Sequence, residues 1–299
     1  MRAYAALGGL SLIWGLSFVF IKILAESSGV WGTVFIRCAA GALILLPILI
    51  VQWRKIERPI PWKHLIVIGV MNAALPWALI ALSETRIASN TASVLNATTP
   101  VFAGLIGFFL FKQRLKLQQW IGILIGFTGV LVLIEFKIGG IFGSQFIGVG
   151  TMMLGAMCYG FGSHYVRRFT PATGVVLLSA TSLITGAIVG LIMMTINGYS
   201  VMNFTYNTSF WLSAIGLGCF GSGIAYLLFY YMIRQKSPEF ATTVTYLAPV
   251  SAMIWGSVLL NEPITPSLVG GMIIIFAGIY YANRKPWKTF KKRTALQTE

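Results

Sequence analysis

Apolar residues run along this chain in long stretches, at roughly 3–25, 30–51, 62–83, 89–111, 117–134, 146–166, 173–197, 208–233, 238–260 and 266–283, parted by short polar joints. Each is about 18–26 residues long, and at ~1.5 Å rise per residue such helices cross a hydrocarbon core ~30 Å thick. The pattern predicts ten transmembrane helices. No joint is long enough, or rich enough in Pro, Gly and Ser, to link separate domains, so function must lie inside the bundle. The first stretch outruns the apolar core of a secretory signal, follows a single early charge at Arg2 and precedes nine more stretches, so it reads as a retained helix.

Composition agrees. The 299 residues are 57% hydrophobic and 10% charged, with a mean hydropathy of +0.82, outside the range of soluble domains. All but four of the 22 Lys and Arg fall at one alternating set of span ends, the exceptions being Lys22, Arg37, Arg86 and Lys137. That bias predicts both termini in the cytoplasm. It also accounts for the net charge of +15 without a nucleic-acid partner, the basic tail NRKPWKTFKKR serving as a topology signal that meets anionic lipid. Cys38, Cys158 and Cys219 lie within apolar stretches as small hydrophobes, with neither disulfide nor metal-ligand spacing, and no cofactor is expected.

The chain repeats itself. A shift of 149 residues carries Trp62 onto Trp211, Gly69 onto Gly218, Pro100 onto Pro249, Gly107 onto Gly256 and Gly129 onto Gly278; nearer the start a shift of 145 carries Trp14 onto Tyr159, Gly15 onto Gly160 and Lys22 onto Arg167. The expected division is 1–140 and 141–299. Each half then holds five helices, and an odd number sends the second half through the membrane upside down. Inverted repeats of this kind rock about a midplane site in secondary transporters.

The stretches SLIWGLSFVFIK, VFIRCAAGAL, TPVFAGLIGFFLFKQRLKLQQWIGILIGFTGVLVL and APVSAMIWGSVLLNEPITPSLVGGMIIIFAGIYY resemble the EamA-type carriers of the drug/metabolite transporter superfamily. The resemblance implies ten helices in two inverted repeats and, commonly, export of amino acids or other small metabolites from bacteria. It also implies a glutamate after the fourth span, where this chain has Gln113; the matching Glu262 is kept.

Polar groups at mid-span point to a cavity. Asn96 maps onto Thr245, Trp77 onto Tyr226 and Trp14 onto Tyr159, and an unpaired amide in hydrocarbon costs several kcal/mol. Pro100 and Pro249 free nearby carbonyls and supply candidate hinges. Ser222 and Tyr226 share a helical face, with Tyr230 an interfacial anchor. Asn72, with Pro76 and Trp77, repeats the polar–Pro–aromatic theme, and Ser163 and Tyr246 complete the candidate substrate contacts. The competing reading is that Asn, Thr and the rings hold helices together.

This lining has aromatic walls, neutral donors and acceptors, and no carboxylate or fixed cation at its centre, which suits a neutral or zwitterionic molecule, amino acids above all. Lys22 with Glu26, and Arg37 with Glu84, are expected as gating ion pairs near one mouth. Gly122, Gly126 and Gly129 form a small-residue face for packing within a monomer. Enzyme chemistry is disfavoured: the chain has no Asp, its seven Glu sit near span ends, and His64 and His164 are its only imidazoles, His164 as a hydrogen-bonded interface residue. The expected activity is alternating-access export, against the alternatives of a membrane scaffold or receptor and a membrane-embedded enzyme.

Overall fold

The computed structural model describes residues 2–56, 58–135, 144–235 and 244–283, and every regular element among them is a helix. The basic tail beyond Asn283, the 140/141 division, the first residues of the stretch 238–260, and Lys137, Lys236, Glu57 and Glu239 lie outside the described residues, as does the Tyr230 side chain.

Helix α1 runs from Arg2 to Gln52, 51 residues, which at ~1.5 Å per residue is more than twice the thickness of a bilayer core. It breaks at Gly29, where φ is 71° and ψ is 174°, a conformation open essentially to glycine alone. The first two apolar stretches therefore meet at one residue instead of a polar loop. The hydroxyls of Ser27 and Ser28 donate to the carbonyls of Ile23 and Leu24 at 2.8 and 2.7 Å, so the polar joint stays inside the helical hydrogen-bond system.

Helix α2, Trp62–Glu84, widens over Val70–Ala74 just ahead of Pro76, whose missing N–H disrupts the ladder. Helix α3, Ser89–Phe109, is two helical pieces, Ser89–Asn96 and Thr99–Phe109, that join at Ala97 and Thr98 beside Pro100. Helices α4 (Leu117–Leu133), α5 (Ser144–Phe169) and α6 (Val175–Ile196) follow. Helix α7 comprises Thr208–Ile215, a widened Gly-rich turn over Gly216–Ile224, and Ala225–Gln235. Helix α8 is Val244–Leu260, with Pro249 inside it, and α9 is Pro266–Asn283.

By length and apolarity, six of these stretches can cross a membrane: α1, α2, α3, residues 145–169 of α5, α6, and residues 208–229 of α7. The shorter apolar helices are α4, α8 and α9.

The glycine face of α4 is covered by α9 within the chain. A Cβ built on Gly122 would lie 2.6 Å from the carbonyl oxygen of Gly278, and one on Gly129 would lie 2.7 Å from the amide nitrogen of Ile275. Only glycine permits this approach, which raises dispersion contact where water supplies no driving force between helices. Cys38 is buried, Cys158 and Cys219 are half-buried, and all three are free thiols.

The turns after α3 and α8 are built alike. Lys112 and Asn261 adopt φ of 54° and 52°; the next residue's amide then donates back, Gln113 to the Gly107 carbonyl at 2.9 Å and Glu262 to the Gly256 carbonyl at 3.1 Å. These bonds satisfy carbonyls that a helix end leaves open.

Candidate functional site

A cavity of about 300 Å³ lies among α1, α2, α3, α5, α7 and α8. Six of the ten candidate substrate contacts line it: Trp14, Trp77, Asn96, Tyr159, Tyr226 and Thr245, together with both candidate hinges, Pro100 and Pro249. Each half of the chain thus contributes the counterpart of a residue from the other. The Oδ1 of Asn96 is buried and has no hydrogen-bond partner among the described residues, an acceptor that a solute could satisfy. Trp14 packs against Phe229 with centroids 5.7 Å apart.

The other four candidates stand off the lining. Asn72 lies inside the widened turn of α2, which shifts its angular phase relative to Trp77, and its side chain packs on Gly162. Ser163 is exposed and donates to the carbonyl of its own helix at Gly160, 2.8 Å away. Tyr246 follows Thr245 by one residue, about 100° around the helix, and meets Phe276 of α9 edge-on at 5.5 Å. Ser222 sits one layer behind the cavity wall, where its hydroxyl accepts from Arg37 Nε at 3.1 Å and donates to the Leu217 carbonyl at 3.3 Å.

Arg37 corrects the sequence-based picture most. It does not pair with Glu84 at a mouth. Eight residues past Gly29, or about 12 Å along the helix, it lines the cavity, 9% exposed, with its guanidinium carbon 3.8 Å from the centroid of the Trp77 ring. The cavity therefore does hold a fixed cation. Glu84 is 1% exposed, and neither of its carboxylate oxygens has a hydrogen-bond partner among the described residues.

The expected pair of Lys22 with Glu26 is also replaced. Glu26 is exposed, and Lys22 Nζ instead meets Glu262 Oε1 at 2.9 Å, the one ion pair among the described residues. The same carboxylate accepts from the Ser89 amide at 2.7 Å, the Ser89 hydroxyl at 2.9 Å and the Asn90 amide at 3.0 Å. It caps α3 from a distant turn, doing what Ala88 at the N-cap position cannot. Burial pushes the Glu262 carboxyl up, but the Asn90 and Ser89 amides and Lys22 outweigh it and leave the group below the usual carboxylate range.

Two sequence signals could have found more of this. Trp14, Ser17, Phe18 and Ile21 recur at helical spacing and all line the cavity, and Ser-Asn opening α3 behind an alanine marks a helix start that needs a cap from elsewhere. His164 does behave as a hydrogen-bonded residue: its Nε2 lies 2.9 Å from the Ala103 carbonyl and its Nδ1 3.3 Å from Gln113 Nε2, with its ring stacked on Phe111. No group of three His, Cys, Asp or Glu among the described residues could hold a metal ion.

The chain is 28% identical over 292 residues to the "Uncharacterized inner membrane transporter YedA" of Escherichia coli (strain K12), covering 95% of this chain and 93% of that protein. An "Uncharacterized transporter" of Archaeoglobus fulgidus is 25% identical over 288 residues, covering 95% and 100%. YvbV of Bacillus subtilis, also an "Uncharacterized transporter", is 22% identical, covering 95% and 92%. A solved structure titled "Crystal structure of protein" shares the fold, with a TM-score of 0.64 at 18% identity over 95% of this chain and 96% of that one. The apolar helices and these relatives make the chain a multi-pass transporter of the inner membrane. Its sequence matches the EamA-like transporter family over residues 1–135 and 146–284. The chain belongs to that family.

Proposed function

We propose that the protein is a ten-helix secondary carrier, acting as a monomer, that exports small neutral or zwitterionic metabolites, amino acids first among them, by alternating access at the central cavity. One observation carries this reading: residues related by the internal repeat, Trp14 and Tyr159, Trp77 and Tyr226, Asn96 and Thr245, Pro100 and Pro249, all line one chamber. A packing role scattered over ten helices gives no reason for the pairs to converge. Two inverted halves closing around a shared site give that reason directly.

Local structure supports the two-repeat organisation. The widened turn over Val70–Ala74 shifts by 149 residues into the widened turn over Gly216–Ile224. Lys112–Gln113 and Asn261–Glu262, related by the same shift, form the same turn with the same backbone bond. Read as two crossings that meet at the Gly29 break, α1 brings the proposed total to ten. Within this scheme Pro100, at the joint of α3, and Pro249, inside α8, are the hinges.

The test is efflux from liposomes loaded with amino acids, nucleosides or sugar phosphates, comparing the native protein with Trp77→Ala, Tyr226→Ala and Asn96→Ala. Amino acids are expected to leave fastest, and each variant is expected to cut their efflux at least tenfold. Preferred efflux of phosphorylated solutes, or unchanged amino-acid efflux in all three variants, overturns the reading.

A further inference from the structure

We propose that Arg37 is a carboxylate anchor, so that the solutes held in this cavity are small monocarboxylates with an apolar tail, their ammonium group being dispensable. The inference rests on the cavity reading above and moves its solute class from neutral or zwitterionic toward singly negative, because the lining holds Arg37.

Two contacts already hold the guanidinium. Its Nε–H donates to Ser222 Oγ at 3.1 Å, and one of its faces lies on the Trp77 ring at 3.8 Å. Ser222 is itself anchored to the Leu217 carbonyl in the widened turn of α7. The plane and tilt of the group are thereby fixed, while its two terminal amino groups, carrying four N–H donors, have no hydrogen-bond partner among the described residues. A guanidinium stays charged in a protein and presents paired donors matched to the two oxygens of a carboxylate.

No salt bridge among the described residues neutralises the guanidinium, and Glu84, an acid within electrostatic reach, stands off the lining. The lining contains Arg37 and no acidic side chain. A solute anion supplies a matching charge at a site walled largely by apolar groups. A single cation matches one negative charge, so a monoanion fits and a phosphate dianion brings a second charge with nothing to meet it.

The rest of the wall selects the other end of the solute. Trp14, Phe18, Ile21 and Ile80 offer apolar surface, and about 300 Å³ accommodates only a small molecule. An ammonium group would find aromatic faces at Trp14 and Tyr226 but no carboxylate. Cation–π contact offsets only part of its lost hydration.

The experiment uses the full-length purified protein in detergent and four probes of one shape: 3-phenylpropionate, 3-phenylpropionamide, L-phenylalanine and phenethylamine, titrated by calorimetry. The acid is expected to bind at least tenfold tighter than its amide, L-phenylalanine no tighter than the acid, and phenethylamine weakest of all. Arg37→Gln is expected to weaken the acid at least tenfold and leave the amide unchanged, and Arg37→Lys to fall between, because a point charge lacks the fork. Equal binding of acid and amide by the native protein overturns the proposal. So does an Arg37→Gln variant that weakens both alike, which makes the residue a structural pin, and so does a native protein that binds no acid at millimolar concentration. Should Arg37→Gln fail to fold, the acid–amide ratio in the native protein decides alone. Failure of the cavity reading looks different: Tyr226→Ala and Asn96→Ala would leave every probe unaffected while the preference for acid persisted.

Discussion

Replacing Glu262 by Gln tests how much one side chain contributes to holding the start of α3 against the end of α8. The carboxylate takes three donors from Ser89 and Asn90 and a fourth from Lys22, and is 6% exposed. The amide keeps one acceptor oxygen and turns an NH₂ toward groups that are themselves donors. Hydrogen bonds to a charged group contribute about 1.5–3 kcal/mol, against about 1 for neutral ones, and a buried donor left unmade costs about 1–3. The Lys22 bond, with the lysine 24% exposed, adds at most about 1 kcal/mol after screening. The variant should therefore lose about 3–5 kcal/mol. At about 2–4 °C per kcal/mol for chains of this order of size, Tm in mild detergent should fall by about 10 °C.

The same variant carries a pH signature. Because the native Glu262 is held below the usual carboxylate range, its contribution is complete at any pH above that range and goes as pH falls through the lowered value. The amide does not titrate there. The Tm gap between native and variant should be constant from neutral pH down to the usual carboxylate range and close below it. A gap under about 2 °C at pH 7, on the same scale, or one unchanged at acid pH, refutes the assignment of Glu262 as the cap of α3.

Two further outcomes follow from the backbone. Gly29→Ala has room for the methyl, the nearest atom being 3.9 Å away on Tyr199, but not for the φ of 71°, so it should cost about 1–3 kcal/mol, read as a Tm drop of several degrees; an unchanged Tm would show that α1 can turn without glycine. Gly278→Leu must displace the backbone of α4, which lies 2.6 Å from a built Cβ, and should abolish recovery of folded protein, whereas Gly150→Ala, with nothing within 4 Å, should be neutral or slightly stabilising by Tm.

Sequence pattern alone located the apolar helices, six of them long enough to cross a membrane, because a bilayer demands long apolar runs, and the internal shift paired the residues that meet in the cavity. Trp77, Tyr226, Asn96 and Thr245 were legible for that reason. Asn72 was not, because a widened turn alters angular phase without marking the sequence clearly. The ion pairs failed for a different reason: spacing along one helix favoured Lys22 with Glu26, yet partners 240 positions apart won, since the open N-terminus of α3 draws a carboxylate that lysine then shares. Arg37 was placed too shallow because it was grouped with Glu84 among the charges near a mouth. The stretch 30–51 already held the arginine well past the joint, and the structure puts it on the cavity wall.

The matching turns after α3 and α8 carry different chemistry at their tips. Glu262 ties down a helix start and a lysine, while the Gln113 amide meets the ring of His164. In the two-repeat carrier proposed above, identical halves would make the two facing states degenerate. The amide in place of the carboxylate is one of the differences between the halves that would bias those states, each kcal/mol skewing the resting populations about fivefold. Under that scheme the empty carrier would favour one orientation, with this pair of unlike turns among the contacts that set it.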